Sequence, residues 1–122
     1  MIYLASPYTH PQKKVMTRRY LQVKKYAVEL MKQGHCVFSP ILYGHPIKAN
    51  LPKDFDWIDF DLNILKECDC LLVLCLPGWD ESKGISEEFN EAAIRKIQVW
   101  YAHWKNGKVV ETSTCPPKTK GE

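Results

Sequence analysis

Cys70-Leu71-Leu72-Val73-Leu74-Cys75-Leu76-Pro77-Gly78-Trp79-Asp80-Glu81-Ser82-Lys83-Gly84-Ile85-Ser86-Glu87-Glu88-Phe89 decides the fold. Its first part, Cys70 to Leu76, is apolar without interruption. Such a run predicts a strand buried on both faces, hence central in a parallel sheet. Pro77-Gly78 ends it. From about Ser82 or Gly84 to Lys96 the apolar residues Ile85, Phe89, Ala92, Ala93 and Ile97 predict a helix. A buried strand that empties through a polar, glycine-containing turn into a helix N-terminus is where open α/β sheets hold ligands. Two carboxylates, Glu87 and Glu88, stand at the start of that helix.

Upstream, Asp54 to Glu67 reads as a helix with Asp54 or Asp56 as its N-cap and Ile58, Leu62 and Leu65 as its buried stripe. Asp61 lies beside that stripe, and a carboxylate among apolar positions needs a partner or a function. Ile2 to Ala5 is a short apolar strand closed by Ser6-Pro7-Tyr8-Thr9-His10-Pro11. Met16, Tyr20, Val23, Ala27, Leu30 and Met31 predict one face of a helix from about Gln12 to Gln33, stopped by Gly34. Cys36 to Ser39 is a second strand, so the first two strands form a parallel βαβ unit. Ile41 to Lys53 reads as an irregular loop holding Tyr43, His45 and Asn50, placed where specificity residues sit. A lone loop histidine is more often a surface residue, and His45 is a ligand candidate only by its place.

Downstream, Gln98 to Ala102 reads as a fourth strand and Lys108 to Val110 as a short fifth. The order β-α-β-α-β-α-β predicts an α/β three-layer sandwich with a parallel sheet of four to five strands, flavodoxin- or Rossmann-like. Residues 1–111 form one domain, and 112–122 a flexible C-terminal tail. The loops after Ala5, Ser39, Leu76 and Ala102 converge at one end of that sheet.

The 122 residues suit a single domain, and 45% hydrophobic with 25% charged residues is an ordinary globular composition. A net charge of +3 permits an anionic ligand without demanding nucleic acid. Lys13, Lys14, Arg18, Arg19, Lys24 and Lys25 could form a phosphate patch. With so modest a charge and no stacking platform, a solvated helix face explains them better. No apolar run approaches a membrane span, and Met1-Ile2-Tyr3-Leu4 lacks a basic n-region, which predicts no secretory signal. An odd set of five cysteines, without C-x-x-C, predicts reduced thiols in the cytoplasm and no metal.

Neither G-x-x-x-x-G-K-[ST], G-x-G-x-x-G nor G-x-S-x-G is present. Three ordered blocks do match a known pattern. Ile2-Tyr3-Leu4-Ala5-Ser6-Pro7-Tyr8 resembles the opening strand of the nucleoside 2-deoxyribosyltransferase superfamily. Asp61-Leu62-Asn63-Ile64-Leu65-Lys66-Glu67-Cys68-Asp69 resembles its helix segment, with an aspartate eight residues before the one that opens the central strand. Ser82-Lys83-Gly84-Ile85-Ser86-Glu87-Glu88-Phe89 resembles its catalytic turn, with a glycine four residues before a glutamate. The blocks span most of the first hundred residues. With Phe38-Ser39-Pro40 and His45-Pro46 they also resemble a small phage and bacterial branch.

The resemblance implies cleavage of an N-glycosidic bond, with no cofactor. The position matching Glu88 attacks the anomeric carbon and forms a glycosyl ester, as in retaining glycosidases. Spacing from Gly84 and helical phase favour Glu88 over Glu87. The position matching Asp61 holds the base or sugar and assists proton delivery to the leaving base. Tyr3 and Ser6 match residues at the sugar end, and Tyr8 and Gly84 are carried over with them as substrate-binding. Ser82 matches the serine of the 2'-deoxynucleoside 5'-phosphate N-hydrolases, where transferases on free nucleosides carry aspartate. A hydroxyl at a helix N-terminus suits a phosphate that an aspartate would repel. Asp80 and Glu81 do not help there, and Tyr8-Thr9-His10 replaces the usual arginine or extra serine.

The expected substrate is therefore a small nucleotide. Base exchange by a deoxyribosyltransferase and a non-catalytic nucleotide-binding module are the alternatives. Tyr43, His45, Asp54 and Trp57 are candidates for the base pocket. The resemblance also implies a homodimer or larger oligomer in the cytoplasm, the host's if phage-encoded. Trp100, Tyr101 and Trp104 read either as its interface or as late core.

Overall fold

The computed structural model describes residues 1–116; residues 117–122, which fall in the tail expected over 112–122, lie outside the described residues. The elements are β1 Ile2–Ala5, α1 Lys13–Lys32, β2 Val37–Phe38, α2 Pro40–Gly44, α3 Trp57–Leu65, β3 Cys70–Leu74, α4 Lys83–Arg95, β4 Gln98–Lys105 and β5 Lys108–Thr112. The sheet order is β2-β1-β3-β4-β5. The first four strands are mutually parallel and β5 pairs antiparallel to β4. The fold is thus α/β with a mixed, mostly parallel five-stranded sheet flanked by helices, in the strand order of a flavodoxin-like sheet.

The unbroken apolar run of β3 has a simple cause. Leu71, Val73 and Cys75 enter one core together with Tyr3 and Ala5, under Leu65 of α3 and Ile85 and Ala92 of α4. Leu72, Leu74 and Leu76 enter the other with Leu4, under Val23, Ala27 and Leu30 of α1 and Ile41 of α2. A side chain every second residue on each face leaves no position for a polar group. Each fully buried leucine contributes about 1.5–3 kcal/mol relative to exposure.

Three elements depart from the sequence reading. The stretch after β2 is not all irregular. Ser39 caps α2 by accepting from the Leu42 N–H at 3.2 Å, with Pro40 in the first turn, and a 3-10 turn covers Lys48–Asn50. On α1 the buried stripe is Val15, Arg19, Val23, Ala27 and Leu30, whereas Met31 is exposed. β4 does not stop at Ala102 but runs to Lys105, where Asn106 and Gly107, both at positive φ, reverse it into β5. Asn-Gly between two strand patterns is the strongest short hairpin signal. The segment after Ala102 therefore joins the sheet and is not a fourth loop at the cavity.

Candidate active site

The loops after β1, β2 and β3, with residues of α1, α3 and α4, line an open cavity of about 850 Å³. Glu88, on the second turn of α4, is 7% exposed and lines it. Glu87 lies outside the lining, so helical phase does select between the two carboxylates. The hydroxyl of Tyr3 donates a hydrogen bond to Glu88 Oε2. Tyr3 itself is fully buried in β1 and does not face the cavity; it holds the carboxylate from behind. Asp61, on α3, faces the same cavity, and its Oδ1 is buried without a hydrogen-bond partner among the described residues. The same is true of Ser6 Oγ. Buried polar atoms without partners are rare in folded proteins, and at a cavity wall they are open to water or to a ligand.

Both carboxyl groups hold protons more tightly than usual. Burial pushes Glu88 up to about 8; the Tyr3 hydrogen bond opposes this and the nearby Asp61 adds to it. Burial pushes Asp61 up to about 7. The Tyr3 phenol is also raised, first by burial and then by Glu88, so it stays a donor. The dipole of α4 favours an ionised Glu88. Loss of water around a nearly enclosed carboxyl outweighs that dipole. At neutral pH the pair therefore retains at least one proton.

The turn between β3 and α4 is built by local rules. Ser82 is the N-cap of α4, its Oγ accepting from the Ile85 N–H at 3.3 Å. Its own hydroxyl hydrogen is still available to a ligand, and Ser82, Lys83 and Gly84 all line the cavity. Gly78 stands at φ +91°, and a Cβ there would lie 2.8 Å from Arg19 Nη2.

Arg19 was read as part of a solvated helix face, and its surroundings correct that. It is 5% exposed. Its Nη1 donates to the carbonyls of Tyr8 and Thr9, each at 3.2 Å, and its Nη2 to the carbonyl of Pro77 at 3.1 Å. The side chain thus ties the β1 loop to the β3 loop at the cavity's edge. Its place in the α1 stripe, at four-residue spacing from Val15 and Val23, was the signal available in the sequence.

On the β2 side, Tyr8, His45 and Lys48 line the cavity with Trp57 and Ile58. Of the four base-pocket candidates, His45 and Trp57 face the cavity, while Asp54 is exposed outside its lining and Tyr43 is exposed and stacks on Phe60. Trp100 and Tyr101 pack against the two cores, and Trp104 is exposed. Among the described residues no group of three or more His, Cys, Asp or Glu is placed to hold a metal ion, and no helix is long and apolar enough to cross a membrane.

A family model described as a domain of unknown function (DUF1937) matches residues 1–103. No curated protein matches the chain.

Proposed function

The chain belongs to the DUF1937 family, and from its site we propose that it hydrolyses the N-glycosidic bond of a (deoxy)nucleoside 5'-monophosphate. The observation that carries this reading is the placing of Glu88, held from behind by Tyr3, and Asp61 on the wall of one cavity. Glu88 acts as nucleophile. Its carboxylate oxygen bonds to the anomeric carbon as the bond to the base breaks, and the electron pair leaves with the base. Asp61 gives its proton to the departing nitrogen. Water then attacks the glycosyl ester, Asp61 takes one of its protons, and Glu88 is released with the sugar phosphate.

These roles need the pair's proton on Asp61, whereas burial raises Glu88 further than Asp61 and favours that proton on Glu88; the reactive form is the one in which the proton has passed to Asp61. Asp61, raised by burial, is able to carry a proton near neutral pH. Glu88 must be ionised, and the Tyr3 hydroxyl favours its carboxylate. Positive charge on the sugar in an oxocarbenium-like transition state favours it further. Ser82 at the α4 N-terminus supports a 5'-phosphate, since Ser82, Lys83 and Gly84 line the cavity and a helix N-terminus favours an anion.

The assay incubates the protein with each 5'-monophosphate and each free nucleoside and follows released base by chromatography. Base release from monophosphates is expected, with a loss of about 10³-fold or more in Glu88→Gln. Full activity in that variant sinks the mechanism. Turnover that requires an added acceptor base makes the protein a transferase instead, and binding without turnover a nucleotide-binding module.

A further inference from the structure

Tyr8, His45 and Lys48 form a polar cluster on the cavity wall that the proposed chemistry does not use. The Lys48 ammonium donates to the Tyr8 hydroxyl and lies 4.7 Å from the centroid of its ring. The Tyr8 hydroxyl is in turn 2.5 Å from His45 Nδ1. Tyr20 of α1 stacks on the imidazole with centroids 4.1 Å apart and an interplanar angle of 21°. These contacts fix the ring's position and plane.

The hydrogen bonds have one consistent direction. Lys48 has no acceptor capacity, so the phenol oxygen accepts from it and the phenol proton goes to Nδ1. The proton of the neutral imidazole is then on Nε2. Burial and the Lys48 charge both push His45 below its ordinary value, in line with a neutral ring. What the cluster has left to offer a ligand is donors: the remaining ammonium hydrogens and Nε2–H.

Strand order places the cluster. β2 and β3 flank β1, and adjacent strands lie about 4.8 Å apart, so the loops after β2 and β3 start about 10 Å from each other. Ser82 follows β3, Tyr3 with Glu88 marks β1, and His45 and Lys48 follow β2. A nucleotide with its phosphate at Ser82 and its sugar over β1 turns its base toward the cluster, between Ile41, Trp57 and Ile58.

We propose that Lys48 and His45, aligned by Tyr8 and Tyr20, select a nucleobase whose outer edge carries a carbonyl oxygen where its counterpart carries an amino group. The inference rests on the glycosidase reading above for the orientation of the nucleotide. A 6-oxopurine accepts from these donors, whereas a 6-aminopurine sets donor against donor. The same holds for 4-oxo- against 4-aminopyrimidines.

The test titrates Glu88→Gln calorimetrically with the 5'-monophosphates of deoxyguanosine, deoxyadenosine, thymidine and deoxycytidine, and with inorganic phosphate. Tighter binding of the oxo member of each pair, by about tenfold, is expected. Lys48→Met in the same background is expected to bring both ratios to within about twofold, and Lys48→Arg, which keeps donors, to preserve the preference. Equal affinities, a preference for amino bases, or no binding of any of the four overturns the proposal. So does a Lys48→Met variant that weakens all four nucleotides and inorganic phosphate alike, which makes the cluster a phosphate site. Binding with the expected preference, but no base release by the wild-type chain, keeps the selection and removes the glycosidase reading. Base release without preference does the reverse.

Discussion

The two ends of the cavity are built in opposite ways. On the β3 side, Gly78 to Glu88 is one continuous stretch settled by near neighbours. Gly78 turns at φ +91°, a 3-10 turn covers Trp79–Glu81, and Ser82 caps the N–H of Ile85. On the β2 side, among the described residues, the His45 ring is held by contacts distant in sequence. Its partners are Tyr8, 37 positions away, and Tyr20 on α1. A site can thus be half spelled out by spacing along the chain and half assembled only when the chain has folded.

Glu88 marks where the local half stops. Its position follows from α4, but its charge is set by β1 and α3, through Tyr3 and Asp61. This predicts a pH dependence. A carboxyl with a folded-state value of about 8 binds protons more tightly folded than unfolded. The stability it contributes is full below its unfolded value of 4.5 and is lost progressively as pH rises from there through about 8. Glu88→Gln removes the ionisation. The variant is expected to be more stable than wild type by about 2–4 kcal/mol at pH 7–8, with the difference vanishing near pH 4. Urea denaturation at the two pH values measures it. No gain at pH 8 means that Glu88 is ordinarily solvated, and its distant partners then contribute nothing to its chemistry.

Gly78 tests the seam between the two halves. An L side chain at its φ costs about 1–2 kcal/mol. The added Cβ would also press on Arg19 Nη2, which is not free to swing away, because it is buried and bonded to the Pro77 carbonyl. Gly78→Ala is expected to lower stability by about 2–3 kcal/mol. A loss under about 1 kcal/mol means that the β1 and β3 loops do not depend on the Arg19 tie.

The same division governs what the sequence made legible. The β3 run, the Ser82 cap and the α4 phase are local patterns, so the layered fold, and Glu88 rather than Glu87 lining the cavity, followed from spacing. Asp61 was visible as a carboxylate beside an apolar stripe, and its orphaned Oδ1 agrees with that. Arg19 was missed because a basic run on an amphipathic helix usually faces water, and only the α1 stripe's phase distinguishes it from its neighbours. The short α2 escaped because five residues carry too little periodicity. Lys48 gave no signal, since its partner Tyr8 lies 40 positions away. The Asn106-Gly107 hairpin was readable and was overlooked.

Ser82 carries two roles on the local side, and they separate by substitution. As an N-cap it is replaceable by aspartate, which caps as well as serine, but not by alanine. As a phosphate contact it tolerates neither equally, because aspartate adds a negative charge where the phosphate would lie. Ser82→Ala is expected to cost about 1 kcal/mol of stability. Ser82→Asp is expected to stay within about 0.5 kcal/mol of wild type. Its affinity for 5'-monophosphates should nevertheless fall about five- to tenfold, with free nucleosides unaffected. If Ser82→Asp instead binds monophosphates as the wild type does, the hydroxyl is a cap alone. The phosphate then has to be sought at the other end of the cavity, where long-range contacts hold Lys48 beside Tyr8 and His45.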